Sequence, residues 1–138
     1  MMPMDMLQSM SVSAGGMFAQ SQRMKAAAEN IANADSIQAA NGKGAYHGKL
    51  VTFKSVLNRQ TGMTEVTSQV KDDLKTPMQT VYNPGSDMAD AKGFVTMPNV
   101  DPVTESINMR EAQRSYEANM SAITTARDMA TRTLDMMQ

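Results

Sequence analysis

The sequence predicts an α+β fold, mainly α, in which long N- and C-terminal helices pair as an antiparallel coiled-coil hairpin with a small β-rich insert between them. Three observations carry this. Apolar and small residues near the N-terminus recur in alternating steps of three and four; the last 36 residues after Pro102 contain no Gly and no Pro; and residues 37–100 are broken by turn signals into short strand-like runs. Residues 1–36 and 101–138 are therefore expected to make one discontinuous helical domain, with 37–100 as the insert.

The N-terminal helix is read from Leu7, Met10, Ala14, Met17, Ser21, Met24, Ala28 and Ile31, a heptad pattern with only Ser21 polar. Gly15 and Gly16 interrupt it and cost about 2 kcal/mol of helix propensity relative to alanine. Such a helix needs a packing partner. Its end, AENIANADS (Ala28 to Ser36), places Asn30 and Asn33 one turn apart. Asparagine side chains compete with helical backbone bonding, so the pair reads either as a helix terminus or as a polar stripe meeting something outside the helix.

In the middle, NGKG (41–44), NPGS (83–86) and AKG (91–93) signal turns. Lys49–Val56, Glu65–Val70, Met78–Tyr82 and Phe94–Met97 read as strands, with too few large apolar residues for a stable insert on its own. The C-terminal helix begins at NVDPVTES, where Asp101 caps, Pro102 suits the first helical position and Glu105 complements the dipole. Tyr116, Met120, Ile123, Ala130, Leu134 and Met137 form its seam, interrupted by Arg127, and Met109, Ala112, Asn119, Ala126 and Thr133 flank it. A wide stripe of small residues suits contact with more than one neighbouring helix.

Composition narrows the function. Aromatic residues make up 4% of the 138-residue chain, Trp is absent, and 16 Met supply much of the apolar volume, so a lone core would be poorly specified. The formal charge is -1 without a basic cluster, which argues against nucleic acid. Residues 1–22 hold one acid, Asp5, and no base, which argues against an anionic membrane surface. There is no cysteine, and no apolar run reaches the roughly 20 residues of a bilayer span, so direct membrane insertion is not expected. The opening MMPMDMLQSMSVSAGGMF lacks the charged region and cleavage site of a Sec signal. The single histidine, His47, sits in the loop GAYHG without visible catalytic or metal partners. No nucleophile elbow, phosphate loop or dinucleotide fingerprint is present, so neither an enzyme nor a cofactor is expected.

AENIANADS resembles the Asn-Asn-Leu/Ile-Ala-Asn-Ala signature of bacterial flagellar axial proteins, the rod and hook subunits. VYNPGSDMADAKGFVTMPNVD (81–101) and RSYEANMSAI (114–123) are similar to the segment before the last helix and to the C-terminal helix motif of the C-type proximal rod proteins of the basal body. Glu29 stands where many relatives have Asn, and residues 37–76 carry little signature.

The resemblance implies a structural subunit of the periplasmic drive shaft, exported by the flagellar type III apparatus without a cleaved Sec signal. Its implied partners are other proximal and distal rod subunits, further copies of itself, the rod-to-MS-ring adaptor and the MS ring. On that reading the subunit-interface residues are Leu7, Met10, Met17, Met24, Asn30, Ile31 and Asn33 on the first helix. On the last helix they are Tyr116, Asn119, Met120, Ile123 and Leu134. Two bland readings stand beside it: the heptads close an intramolecular hairpin, and the asparagines only cap a helix. The alternative function is a cytosolic helical adaptor that binds a partner helix in a groove; a hydrolase using His47 is the third class.

Overall fold

In the computed structural model, which describes residues 4–37 and 44–138, six elements run in the order helix, four strands, helix. Helix α1 spans Met4–Ala32 and α2 spans Pro102–Met136. Between them lie β1 (Lys49–Leu57), β2 (Thr64–Asp72), β3 (Gln79–Tyr82) and β4 (Phe94–Met97). The mainly helical α+β architecture is the expected one, and each strand lies within three residues of its expected limits. The turn expected at 41–44 falls largely outside the described residues.

The helices pair antiparallel. Arg23 of α1 reaches Glu111 of α2 at 2.9 Å, and seven residues earlier Gly16 lies against Asn119, eight residues later on α2. Asp101 caps α2 as its sequence requires, its carboxylate accepting from Val103 N at 3.2 Å and from Thr104 Oγ1 at 2.7 Å. Two glycines that weaken α1 locally serve different neighbours. A Cβ on Gly16 would sit 2.9 Å from Asn119 Nδ2, so the Asn119 amide occupies the space that the missing side chain leaves. A Cβ on Gly15 would sit 3.7 Å from Val66 O, in ordinary contact with β2.

Strands β1 and β2 form an antiparallel hairpin with Lys49 opposite Asp72 and Leu57 opposite Thr64. Its turn was not legible as a turn signal. Asn58 Oδ1 accepts from Gln60 N at 3.0 Å and Gly62 adopts φ 71°, a left-handed conformation that glycine takes without steric cost. The hairpin packs on α1 and not on α2. Strands β3 and β4 pair separately, Gln79 opposite Met97, with Tyr82 and Phe94 stacked edge-on at 5.4 Å.

The core is built of small side chains. Among the described residues Ala19, Ala26, Ala27, Ala45, Val95, Ala112 and Ala130 are the buried apolar ones, and the largest fully buried side chain is polar, Asn30. Phe18, Leu57, Leu74, Tyr82 and Val103 are all at least 60% exposed. The accessible surface is 9833 Å² for 15.0 kDa, against roughly 7,000 Å² for a compact monomer of that mass. Close helix approach through alanine and glycine is thus combined with an unusually large outer surface.

The two glycines should respond oppositely to substitution. Gly15→Ala is expected to raise stability by about 0.5–1 kcal/mol, the helix-propensity gain. Gly16→Leu is expected to lower it by about 1–3 kcal/mol through overpacking against Asn119. Urea denaturation followed by circular dichroism measures both, and equal responses would mean that α2 does not depend on the notch at Gly16.

Candidate assembly interface

The stretch AENIANADS closes α1, but its two asparagines act differently. Asn33 Nδ2 donates to Glu29 O at 2.8 Å, its own N–H donates to the same carbonyl at 3.0 Å, and Ser36 Oγ donates to Asn33 Oδ1 at 3.1 Å. That is a helix terminus, as one of the sequence readings held. Asn30 is not. It is 1% exposed, its Nδ2 donates to Lys49 O at 3.0 Å, and its Oδ1 accepts from Lys49 N at 2.8 Å and from Tyr46 Oη at 2.9 Å. The side-chain amide stands where a neighbouring strand's peptide group would stand, and it pins the first residue of β1 to α1.

Charge reinforces that pin. Lys49 Nζ meets Glu29 Oε2 at 2.6 Å. The ammonium holds the Glu29 carboxyl below its ordinary range, chiefly through that hydrogen bond, and the carboxylate correspondingly raises Lys49. Both side chains are about a third exposed, so solvent screens the pair and its contribution is modest. Burial raises the Tyr46 hydroxyl, which keeps it a proton donor to Asn30. Glu29, the departure from the family signature, is thus the residue that faces β1's lysine.

A second asparagine holds the other side of the hairpin base. Asn99 Oδ1 accepts from Gly48 N at 2.7 Å, while its Nδ2 donates to Asp73 O at 2.9 Å and to Thr76 O at 3.0 Å. Asp73 is buried, and its carboxylate accepts from Thr76 Oγ1 and from the N–H groups of Lys75 and Thr76. The Thr76 hydroxyl is the main cause of its lowered pKa. Sequence reasoning missed this clamp; the available signal was an asparagine two residues before the cap of α2.

The residues expected at subunit contacts fall into two sets. Asn30 is buried inside the chain, and Asn119 faces the notch at Gly16. Met10, Met17, Met24, Ile31, Asn33, Tyr116 and Ile123 are half-buried. Leu7, Met120 and Leu134 are outward, at 48%, 46% and 57% exposure. On α1 the heptad is split lengthwise: the row Met10, Met17, Met24 and Ile31 turns inward, and three of the four alternating residues, Leu7, Ala14 and Ala28, are exposed. On α2 the residues expected as flanks, Ala112, Asn119 and Ala126, belong with Tyr116, Ile123 and Ala130 to the row that is turned from solvent. His47 Nδ1 is buried without a hydrogen-bond partner, and among the described residues no group of three or more His, Cys, Asp and Glu could hold a metal ion.

The helices that carry these rows also carry a family likeness. Residues 10–36 match the family described as flagella basal body rod protein, and residues 91–136 match the family described as flagellar basal body rod FlgEFG protein C-terminal. The flagellar basal-body rod protein FlgC of Escherichia coli O6:H1 is 39% identical over 137 residues, which cover 98% of this chain and 100% of the relative. That of Salmonella typhimurium is 38% identical over 137 residues with the same coverage. That of Agrobacterium fabrum is 39% identical over 136 residues, 98% of each chain. The chain belongs to the FlgC family of flagellar basal-body rod proteins.

The FlgC family is a structural one, and this chain is accordingly a structural subunit of the basal-body rod, associated with other basal-body components. The two matched segments contain α2 and most of α1, while the likeness to the relatives runs through the insert as well. Among the described residues no helix is long and apolar enough to cross a membrane.

Two predictions separate the polar groups. Asn30→Asp removes the amide donor to Lys49 O and puts a carboxylate at a position that is 1% exposed, an expected loss of about 2–4 kcal/mol. Asn33→Asp, at a half-exposed terminus, is expected to cost at most about 1 kcal/mol. Limited proteolysis near residues 44–48 and thermal melts measure the contrast, and equal losses would show that Asn30 is only a cap.

The second follows from Asp73. A carboxyl whose folded pKa is depressed stabilises the fold fully above its unfolded pKa, and that stability is lost as pH falls through the folded value. Stability should therefore fall below about pH 4, starting near the ordinary aspartate pKa, and Asp73→Asn should flatten that part of the curve. An unchanged acid limb in the Asn variant would remove Asp73 from the linkage.

Proposed function

We propose that the chain polymerises through the outward rows of α1 and α2 into the proximal rod, the drive shaft that transmits motor torque across the periplasm. The observation that carries this reading is the apolar surface left outside: the fully buried apolar positions of the helices are alanines, while Leu7, Phe18, Val103, Ile107, Met120, Met129 and Leu134 are exposed on the same two helices. Exposed apolar surface of this kind is costly in water and is stabilised by burial at an interface. A helical tube needs heterologous contacts, one face of a subunit against a different face of the next. Two helices with inner and outer rows provide such faces.

The subunits met on those faces are other proximal and distal rod proteins, further copies of this chain, and, at the inner end, the rod-to-MS-ring adaptor and the MS ring. Delivery is by the flagellar type III export apparatus without a cleaved Sec signal. A core built mostly of alanine and without cross-links suits passage unfolded through a narrow channel, because little buried surface is lost on unfolding. The chain catalyses nothing and works by load-bearing contact alone.

The test uses residues that the monomer leaves outside. Met120→Asp and Leu134→Asp should leave the circular dichroism spectrum and melting of the purified chain within about 0.5 kcal/mol of wild type, as exposed substitutions do. In cells both variants should be exported but should fail to complete rods, leaving non-motile cells. Normal basal bodies in both variants would show that these helix faces are not subunit contacts.

A further inference from the structure

The methionines divide by helix. Met6, Met10, Met17 and Met24 of α1 are half-buried, and so is Met109 early in α2. Met120, Met129, Met136 and Met137 are exposed, from 46% to 87%. The pairing of the helices accounts for part of this. With Gly16 against Asn119, Met4 at the start of α1 is level with about residue 131 of α2, so Met136 and Met137 lie past α1. Of the large apolar residues exposed beyond Asn119, Leu134 alone carries no sulfur. The chain has no cysteine, so thioethers are the only sulfur it offers an oxidant. Among the described residues the other exposed methionine is Met88, in the turn between β3 and β4.

We propose that Met120, Met129, Met136 and Met137 form an oxidation site: two-electron oxidants of the peroxide class convert their thioethers to sulfoxides in the unassembled chain, and the modified chain is withheld from assembly. The sulfur lone pair attacks one peroxide oxygen. The S–O bond forms as the O–O bond breaks, sulfur gives up two electrons, and the other oxygen leaves as water. A sulfoxide is polar and chiral where the thioether was apolar and adaptable, and it disrupts Met-rich interfaces. Its oxygen is a hydrogen-bond acceptor that water satisfies on a free surface and that an apolar contact leaves unpaired. The fold of the chain tolerates the change, because the four side chains lie outside it.

This inference rests on the outward helix faces being subunit contacts, and it adds when those faces are vulnerable: open to an oxidant before assembly and covered after it. Methionine sulfoxides are reduced back enzymatically, so the block is reversible.

Hydrogen peroxide titrated onto the purified full chain, with peptide mass spectrometry, measures the selectivity. Met120, Met129, Met136 and Met137 should oxidise about fivefold faster than Met10, Met17 and Met24, and thermal melting should be unchanged while only the outward set is modified. In cells, Met120→Gln, Met129→Gln, Met136→Gln and Met137→Gln combined imitate the polarity of the sulfoxide. That variant should be exported but complete about tenfold fewer rods. Met88→Gln, away from both helices, should complete them normally. With Met120→Leu, Met129→Leu, Met136→Leu and Met137→Leu combined, a sublethal peroxide pulse during synthesis should lower rod completion severalfold less than in wild type, each strain compared with its own untreated culture. Equal oxidation rates in the two sets overturn the proposal. So does normal rod completion by the fourfold Gln variant, or an equal peroxide loss in wild type and the fourfold Leu variant. If Met120→Asp and Leu134→Asp also build normal basal bodies, the assembly reading itself fails; if they block assembly while the fourfold Gln variant completes rods, the oxidation site alone fails.

Discussion

The arrangement of the chain depends on one buried amide. Asn30 holds both backbone groups of Lys49 and the hydroxyl of Tyr46, and it is the largest side chain fully removed from solvent. Because the pinned residue is the first of β1, the amide fixes where the hairpin starts, and the 2.8 and 3.0 Å bonds fix its side of α1. The strand then runs back toward Gly15, where β2 comes down onto helix backbone. A carboxamide suits this place because it offers a donor and an acceptor in one plane, as a peptide does, without a charge to desolvate. Glu29 and Lys49 add an ion pair beside it that is too exposed to replace it.

Pins of this kind are needed because the apolar interior is so thin. Alanine burial supplies roughly the area of one methyl per residue, far less than a buried leucine, so hydrophobic packing alone does not specify how a ribbon lies on a helix. Asn30 and Asn99 supply that specification by direction: hydrogen bonds have geometry, and area burial has none. The same economy of volume lets α1 and α2 approach at Gly16 and keeps the large side chains free for the outside.

The sequence carried much of this. Period-3.5 spacing in α1, the Asp101–Pro102 start of α2 and the alternating runs of the four strands are local signals, and each element lies where its signal placed it. The role of Asn30 was not legible, because its partner lies 19 residues away across a loop and nothing local distinguishes a capping asparagine from a strand-pinning one. Gly16 reads as a cost to helix formation for the same reason: the group that lies where its side chain would be, the Asn119 amide, is supplied by a distant segment. Met120 and Leu134 of the expected α2 seam are exposed, because a helix with apolar residues on several sides does not declare which row meets its own partner.

On the proposed assembly, that ambiguity follows from a double use of the helices. A helix that serves one interface can be amphipathic, and its stripe then points at a single neighbour. One that must close its own hairpin and also meet other subunits carries apolar or small residues around most of its circumference, so Ala112 and Ala130 on one side coexist with Ile107 and Met129 on another. Size separates the two roles where polarity cannot. Within the chain, close approach calls for alanine, glycine and a shape-fitting asparagine. Between chains, separately folded surfaces meet at longer range and are filled by flexible methionine and leucine, which adapt to faces that are not copies of one another. In this chain the fully buried apolar positions of the two helices are alanines, the row Met10, Met17, Met24 and Ile31 is half-buried beside them, and Leu7, Phe18, Met129 and Leu134 are left for contacts outside the chain on the proposed reading.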